Sequence, residues 1–296
     1  MNEKNSLTLL APAKLNLMLH ITGRRADGYH QLQTIFQLLD SGDTLHFNVR
    51  NDAKVTLIPA LKGVANQDNL IVRAAQLLQS KTNQVVGVDI QLEKKLPMGG
   101  GLGGGSSNAA TTLLALNQLW KLDFSIDQLA TLGLELGADV PVFVRGESAW
   151  AEGIGEQLHP LNLPDKFYCV IKPPCEVSTE EIFSHKQLTR DSSPITIAAV
   201  FEQGDRNDCE AIVRELYPEV GIALEWLNNV ITDFGQDTKK NVKPARLTGT
   251  GACIFAEFSD HKSAQHVLDK LPSELQGFVA QGVNISPVHK QLKLQT

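Results

Sequence analysis

Apolar and polar residues alternate near the start of the chain, where the apolar positions are Leu15, Leu17, Leu19 and Ile21. This two-residue period is typical of a strand with one face in the core. Lys14 and Asn16 then share the other face. The pattern predicts a strand over residues 15–21 that presents a lysine beside an asparagine.

Three further segments have strand-like patterns, over residues 32–39, 44–49 and 54–58. Ser41-Gly42-Asp43 and Asn51-Asp52 lie between them and are typical of turns, and residues 23–28 are typical of a loop. We therefore expect the fold to begin with an antiparallel sheet.

Helical periodicity begins after Asp68, a residue type that caps helices. The apolar face of this predicted helix consists of Leu70, Ile71, Ala74, Leu77 and Leu78. Residues 86–92 alternate again, which predicts a strand that leads into a glycine-rich segment.

Two helices are predicted after the glycine-rich segment. The first has apolar residues at helical spacing, at Ala109, Leu113, Leu116 and Trp120. Ser125 and Gln128 form a capping box for the second, which we expect to end at Gly137. The predicted order is strand, glycine-rich loop, helix, helix.

The pattern becomes shorter and contains more proline near residues 158–164. Because 296 residues exceed the usual size of one hydrophobic core, we place a boundary there, between domains 1–160 and 161–296. Beyond it, residues 168–172 and 253–258 resemble strands, and residues around 211–227 resemble helices. No internal repeat is visible in the sequence.

Charge narrows the class of ligand. The formal net charge is −6 and the pI is about 5.8, which argues against binding to nucleic-acid backbones because they require a basic face. A small molecule is the better candidate. The sequence leaves the oligomeric state open between a monomer and a weak homodimer.

Cysteine spacing and hydropathy bear on the compartment. The cysteines show neither a C-x-x-C pair nor histidines at metal-ligand spacing, so we expect reduced thiols and no zinc or redox site. The first thirty residues have no signal-peptide pattern, and no apolar run is long enough to cross a membrane. These features predict a cytoplasmic protein that does not bind membranes.

The segment richest in chemical information is 97–107, Pro-Met-Gly-Gly-Gly-Leu-Gly-Gly-Gly-Ser-Ser. Its glycines let the backbone turn its N–H groups towards a ligand without a Cβ in the way. The following helix adds free amides and a positive dipole end. The segment predicts a phosphate-binding loop, in which Ser106 or Ser107 helps to hold a magnesium ion.

Other interpretations of this loop are weaker. A flexible surface turn would not need so many glycines, each of which costs backbone entropy. Gly99, Gly101 and Gly104 match a dinucleotide-binding pattern, but Pro97 separates strand from loop, and the second strand with its acidic residue is missing. The lysine and serine of an ordinary P-loop are missing too.

Three segments, in this order, resemble the signatures of the galactokinase, homoserine, mevalonate and phosphomevalonate (GHMP) kinase superfamily. They are Ala-Pro-Ala-Lys-Leu-Asn-Leu at 11–17, the glycine loop, and Leu-Thr-Gly-Thr-Gly-Ala-Cys at 247–253. Two further segments are similar to one branch of this superfamily, which belongs to the non-mevalonate isoprenoid route. They are Gly-Arg-Arg-Ala-Asp-Gly-Tyr-His at 23–30 and Leu-Gly-Ala-Asp-Val-Pro-Val-Phe at 136–143. The acceptor of this branch is a cytidine-diphosphate-linked sugar alcohol. The similarity covers nearly the whole chain.

The resemblance implies a two-lobed α+β fold. The N-terminal lobe would bind ATP and resemble the second domain of ribosomal protein S5, and the C-terminal lobe would bind the substrate. The implied reaction is phosphoryl transfer from ATP to an alcohol, with Mg²⁺ as cofactor. Asp139 would be the base that faces the acceptor hydroxyl, and Lys14 would orient this aspartate and the transferring phosphate.

The resemblance also implies two sets of binding residues. The ATP set is Pro97, Met98, Gly99, Gly100, Gly101, Leu102, Gly103, Gly104, Gly105, Ser106 and Ser107, with Asn69 and Lys95 near adenine. The substrate set is Asn16, Tyr29, His30, Thr179 and Phe183. Cytosine would lie between the rings of Tyr29 and Phe183, and Thr179 near the phosphates. Val177 and Ser178 depart from the family pattern, in which a small residue and proline often precede the threonine.

Alternatives stay open at this stage. Asp139 is also placed to cap the short helix around Pro141, a strand lysine is usually exposed, and His30 is compatible with an ordinary loop. The chain is alternatively a kinase for another small alcohol, such as homoserine or a mevalonate derivative, or a non-catalytic nucleotide-binding sensor. A dehydrogenase is a remote third. Gly28-Tyr29-His30 is suited to holding a base, which disfavours a kinase for another small alcohol. The presence of both Lys14 and Asp139 disfavours a non-catalytic sensor.

Overall fold

The computed structural model describes residues 5–61, 63–83, 85–203, 206–238 and 243–294. The strands are β1 (Ser6–Arg24), β2 (His30–Arg50), β3 (Val55–Ile58), β4 (Gly87–Glu93), β5 (Ala149–Glu152), β6 (Gln157–Pro160), β7 (Phe167–Lys172), β8 (Arg246–Leu247), β9 (Ile254–Phe258) and β10 (Gln276–Val283). The helices are α1 (Leu70–Gln79), α2 (Gly104–Leu119), α3 (Ile126–Leu136), α4 (Val140–Arg145), α5 (Thr179–Ser184), α6 (Ile197–Gln203), α7 (Glu210–Leu216), α8 (Pro218–Thr238), α9 (His261–Leu268) and α10 (Pro287–Leu292). The predicted α+β class is confirmed.

Strand β2 passes through Ser41-Gly42-Asp43 without turning, so the turn predicted there is wrong. Gly42 pairs with Pro12 of β1, and a Cβ on Gly42 would lie 1.9 Å from the carbonyl oxygen of Ala11. The glycine therefore marks a close approach of two strands, a role that sequence patterns do not separate from a turn. Asn51-Asp52 does lie between strands, as predicted.

Strand β2 also joins the two halves of the sheet. It pairs antiparallel with β1, β4, β5 and β10. Strand β10 continues to β7, and β7 continues through β9 to β8. The antiparallel beginning was predicted correctly, except that β3 runs parallel to β4. One sheet thus extends from the first half of the chain into the second.

The caps of two helices test the sequence signals directly. Asn69, and not Asp68, caps α1, because its side chain accepts a hydrogen bond from the amide of Ile71. Asp68 belongs to a short 3₁₀ turn that precedes the cap. The capping box of Ser125 and Gln128 is present as predicted, and α3 ends at Gly137.

Two hydrophobic cores and a third cluster underlie the sheet. Helices α1–α4 share the first core with β2 and β4, and its buried members include Phe47 and Leu113. Helices α7–α9 cover the second, around Val213 and Leu227. Residues of β1 and β9 meet in the third cluster. This packing places β1, with Lys14, in the interior of the molecule.

The end of the chain returns to its first half. Helix α10 packs on β1, and a β-bridge joins Glu147 to Ile285. The ring of His289 fills the space over Gly146, where a Cβ would lie 2.1 Å from Nδ1. These contacts cross the boundary between 1–160 and 161–296, which stays a prediction.

Two expectations from composition can be compared with the structure. All four cysteines are free, and three of them, Cys169, Cys209 and Cys253, are fully buried. None of the helices in the described part of the chain has both the length and the apolar composition that a membrane span needs.

Candidate active site

The glycine loop is shaped by three residues in the left-handed backbone region. Gly99, Gly101 and Gly103 have φ angles of 60°, 72° and 70°, which side chains disfavour. Gly103 is the N-cap of α2, so the amides of the first helical turn open from the loop. The order of strand, loop and helix is the one predicted, and free amides at a helix N-terminus are the arrangement that suits an anion.

Residues 248–253 form the support beneath this loop. The amides of Ala252 and Cys253 donate to the carbonyl oxygens of Gly99 and Gly100, both at 3.1 Å. A Cβ on Gly101 would lie 2.4 Å from the carbonyl oxygen of Thr248. Two segments recognised separately in the sequence are thus one packed unit.

Asp43 anchors the chain that enters the loop. Its fully buried carboxylate accepts bonds from Lys94 Nζ at 3.2 and 2.9 Å, from the amides of Lys95 and Leu96 at 2.8 Å, and from Asn108 Nδ2 at 2.9 Å. The local sequence conceals this role, because Ser41-Gly42-Asp43 has the composition of a turn. The feature that could have indicated a buried role was the position of this aspartate between two strand-forming segments.

A cavity of about 360 Å³ lies over the loop. Of the predicted ATP-binding residues, Asn69 and the run from Pro97 to Ser106 line it, as does Lys94. Lys95 is exposed and lies outside the lining, and Ser107 is fully buried beneath it. The structure thus brings most of the predicted ATP set together, and Lys94 rather than Lys95 lines the cavity.

Lys14 and Asp139 form an ion pair next to this cavity, with Nζ 3.3 Å from Oδ2. The lysine side chain is 4% exposed and the aspartate side chain 34%. Lys14 Nζ also donates to Asn16 Oδ1 and to the carbonyl oxygen of Gly101, at 2.5 and 3.1 Å. A buried cation therefore joins the glycine loop to a carboxylate that solvent and ligands can reach.

The alternatives for these two residues can be compared with their contacts. Asp139 occupies the N-cap position of α4, but its side chain makes no capping hydrogen bond. Lys14 is buried rather than exposed. Because a buried ammonium needs partners, its contacts with Gly101 and Asp139 fix its position. Both side chains are thus free of the ordinary structural roles considered for them.

Asn16 is held from three sides. Its backbone amide donates to Thr248 Oγ1 at 2.9 Å, and its side-chain Nδ2 donates to Thr34 Oγ1 at 2.8 Å. Its Oδ1 faces Lys14. The two polar residues that the strand pattern placed on one face are thus connected, and Thr248 couples them to the support of the glycine loop.

A central cavity of about 330 Å³ is lined by Lys14, Asn16 and Asp139, among other residues. It shares Gly101, Gly103 and Ser106 with the cavity over the glycine loop. On its other side it shares residues of α5, including Thr179 and Phe183, with a third cavity. The three spaces form one path with the ion pair at its middle.

The third cavity, of about 490 Å³, is lined by the predicted substrate residues Tyr29, His30, Thr179 and Phe183, together with Arg24. The Phe183 ring stacks on His30, with centroids 5.1 Å apart and 25° between the planes. Tyr29 is 60% exposed at the edge. In this structure the partner of Phe183 is therefore His30, and the Tyr29 ring faces open space.

The departure from the family pattern before Thr179 has a local explanation. Ser178 is the N-cap of α5, and its hydroxyl accepts from the amide of Glu181. Thr179 Oγ1 lies 2.9 Å from Thr250 Oγ1. The backbone here is thus a regular helix start, and it brings Thr179 next to the segment that supports the glycine loop.

Comparison with known proteins identifies the family. The family described as GHMP kinases N terminal domain matches residues 69–147, and GHMP kinases C terminal matches residues 195–277. A 4-diphosphocytidyl-2-C-methyl-D-erythritol kinase of Hahella chejuensis is 56% identical over 303 residues, covering 98% of both chains. The chain belongs to the 4-diphosphocytidyl-2-C-methyl-D-erythritol kinase family of GHMP kinases. The kinase of the same name from Pseudomonas aeruginosa PAO1 is 54% identical over 97% of this chain.

Solved structures agree with this family. A 4-(cytidine 5'-diphospho)-2C-methyl-D-erythritol kinase superposes with a TM-score of 0.78 at 30% identity, over 94% of this chain and all of that one. A homoserine kinase from Cytophaga hutchinsonii, at 15% identity and a TM-score of 0.64, shares the fold. The predicted kinase class is confirmed, and ATP is the phosphate donor that a GHMP kinase uses.

Proposed function

We propose that this kinase transfers the γ-phosphate of ATP to the 2-hydroxyl of 4-diphosphocytidyl-2-C-methyl-D-erythritol, with ADP as the second product. The observation that carries the proposal is the position of Lys14 between the carbonyl oxygen of Gly101 and the carboxylate of Asp139. This cation lies where the path from the phosphate loop meets the path from the third cavity. The relatives' name supports the identity of the acceptor.

The proposed step forms one bond to phosphorus, breaks another and transfers one proton. The acceptor oxygen bonds to the γ-phosphorus, the bond from this phosphorus to the bridging oxygen breaks, and ADP leaves with the electron pair. The hydroxyl proton goes to Asp139. Because the transition state is loose, the protein contributes mainly position and charge, and Lys14 supplies positive charge beside the transferring group.

Magnesium fits the residues that line the path. The described ranges contain no cluster of three or more His, Cys, Asp or Glu side chains that could hold a metal ion, and Mg²⁺ typically needs few protein ligands because substrate phosphates supply the rest. The Ser106 hydroxyl borders both the loop cavity and the central cavity, so we assign it as a ligand. Ser107 borders neither. When bound, the ion offsets the charge of the phosphate oxygens.

The third cavity is the proposed binding site for the cytidine end of the acceptor. Its aromatic walls, Phe183 and His30, are stacked, and the exposed ring of Tyr29 is available to cover a bound base. Arg24 adds positive charge to the same lining, which suits a diphosphate. Thr179 lines both this cavity and the central one, which supports a role in binding the phosphates.

Coupled ADP release tests the proposal. The assay contains ATP, Mg²⁺ and a panel of acceptors: the cytidylated methylerythritol, homoserine and mevalonate phosphates. We expect turnover with the first alone. Asp139→Asn keeps the shape of the base but removes its proton acceptor, so kcat should fall by about 10²–10⁴-fold.

The other outcomes are equally informative. Turnover of a cytidine-free acceptor would favour another small-alcohol kinase, and tight ATP binding without ADP formation would favour a sensor. Unchanged kcat in Asp139→Asn at saturating acceptor would remove the assigned base. We also assign the protein to the cytoplasm, where ATP is supplied and where free thiols such as its four cysteines stay reduced.

A further inference from the structure

Arg190 holds one wall of the third cavity, and no local sequence pattern indicates this role. Its Nη2 donates to the carbonyl oxygens of Phe183 and His185 at 3.0 and 2.8 Å, and its Nη1 donates to that of Leu188 at 3.1 Å. Its Nε donates to Nε2 of His30 at 3.0 Å. One guanidinium thus connects the end of α5 to the ring that stacks on Phe183.

The bond to His30 has a direction that determines its tautomer. A guanidinium only donates hydrogen bonds and stays protonated, so the Nε2 that accepts from Arg190 carries no proton. A neutral imidazole with an unprotonated Nε2 carries its proton on Nδ1. Among the described residues, no hydrogen bond engages Nδ1. His30 therefore has one ring nitrogen left for a ligand, and that nitrogen is a donor.

The electrostatic surroundings keep the ring neutral. Burial, followed by the charges of Arg190 and Arg24, lowers the pKa of His30 below its usual value. The other charged groups that line the cavity are Asp27 and Glu180. The neutral tautomer with Nδ1–H is thus the form that meets a ligand at neutral pH.

This donor discriminates between pyrimidines. N3 of cytosine is a hydrogen-bond acceptor, whereas N3 of uracil carries a hydrogen. We propose that Arg190 is a specificity-determining positioning residue, which fixes His30 as the Nδ1–H tautomer so that this donor selects a cytosine over a uracil in the acceptor. The inference rests on the proposed function, because it assigns the third cavity to the base.

Arg190→Met tests the proposal through a pH-dependent preference. Without the guanidinium, neutral His30 can place its proton on Nε2, and Nδ1 then accepts from uracil N3–H. At pH 8 the ratio of kcat/KM for the cytidine acceptor over its uridine analogue should fall about tenfold or more. As the pH is lowered until His30 is protonated, the imidazolium again donates from Nδ1 and the preference should recover; burial and Arg24, which remain in this variant, place that recovery below the ordinary pKa of His.

The wild-type enzyme and two further variants complete the design. The wild-type preference should be constant from pH 8 to pH 6. Arg190→Lys keeps a donor for Nε2 and should keep the preference, although it loses the carbonyl contacts. Arg214→Met, which removes an arginine paired with Glu225 and outside all three cavities, should behave as wild type.

A direct measurement keeps the proposal falsifiable if Arg190→Met fails to fold. Long-range ¹H–¹⁵N correlation spectra of the wild-type enzyme, assigned with His30→Gln, distinguish the two neutral tautomers. A proton on Nε2 in the wild-type enzyme, or a base preference in Arg190→Met at pH 8 that equals that of the wild type, would overturn the inference. A wild-type enzyme that phosphorylates neither acceptor would refute the proposed function instead, and the spectra would still determine the tautomer.

Discussion

The carboxylate of Asp43 and the ammonium of Lys94 lie 2.9 Å apart beneath the entry to the glycine loop. Asp43→Asn keeps an acceptor for the backbone amides but leaves Lys94 without its counter-charge. Because the carboxylate is fully buried, we expect the free energy of unfolding to fall by about 3 kcal/mol. Since Lys94 lines the loop cavity, KM for ATP should rise more than KM for the acceptor.

Chemical denaturation and initial rates measure both effects of Asp43→Asn. Asp123→Asn, at an exposed position, is the matched control and should change neither. An Asp43→Asn enzyme with wild-type stability and an unchanged KM for ATP would show that this carboxylate does not hold the loop.

Lys14→Met retains the length of the side chain and removes its charge. The ammonium bonds both to Gly101 of the glycine loop and to Asp139, so its loss should act mainly on the transition state. We expect kcat to fall by about 10²–10³-fold, with a much smaller change in ATP affinity. Isothermal titration with a non-hydrolysable ATP analogue separates the two, and exposed Lys270→Met is the control. A loss confined to nucleotide affinity would make Lys14 a binding residue only.

Gly101 and Gly105 lie in one loop but have opposite tolerance for a methyl group. A Cβ on Gly101, with φ +72°, would meet the carbonyl oxygen of Thr248 at 2.4 Å, whereas a Cβ on Gly105 has its nearest neighbour at 3.6 Å. Gly101→Ala should cost about 2–3 kcal/mol of stability. Gly105→Ala, in the first turn of α2, should be neutral or stabilise by about 0.5 kcal/mol. Thermal unfolding of the pair measures the contrast, and equal effects would contradict the contact with Thr248.

His289 makes stability depend on pH. Burial lowers its pKa to about 4, from the usual 6.5. Between these two pKa values the unfolded chain binds a proton at His289 that the native state does not bind. The stability that comes from keeping His289 neutral is therefore fully present above about pH 6.5 and is lost as the pH falls towards about 4. The loss should amount to roughly 3 kcal/mol. His289→Leu should flatten the dependence of unfolding free energy on pH in this window, whereas exposed His159→Gln should retain it. An equal slope in His289→Leu would assign the effect to other groups.

Local patterns in the sequence predicted much of the fold and part of the site. Alternation placed Lys14 beside Asn16, and the glycine loop between a strand and a helix was predicted from composition and spacing. Asp68 was wrong as a cap because two adjacent polar residues satisfy the same local rule, and only the backbone decides that Asn69 binds the amide of Ile71.

The remaining site residues depend on distant contacts. Asp43 is buried because the strand continues past Gly42 and packs against Lys94 and Asn108, far along the chain. Arg190 reaches His30 across 160 positions of sequence. Neither has a periodic or compositional signal, because the partner that gives each its role is absent from its neighbourhood in the chain.

The return of β10 and α10 to the first half of the molecule has a consequence for biosynthesis. Strand β10 pairs with Leu38 and Leu39 in the middle of β2, and His289 closes the space over Gly146. Both segments emerge from the ribosome after the glycine loop and the helices around it. The packing of the N-terminal half is therefore incomplete during translation until β10 and α10 have been synthesised.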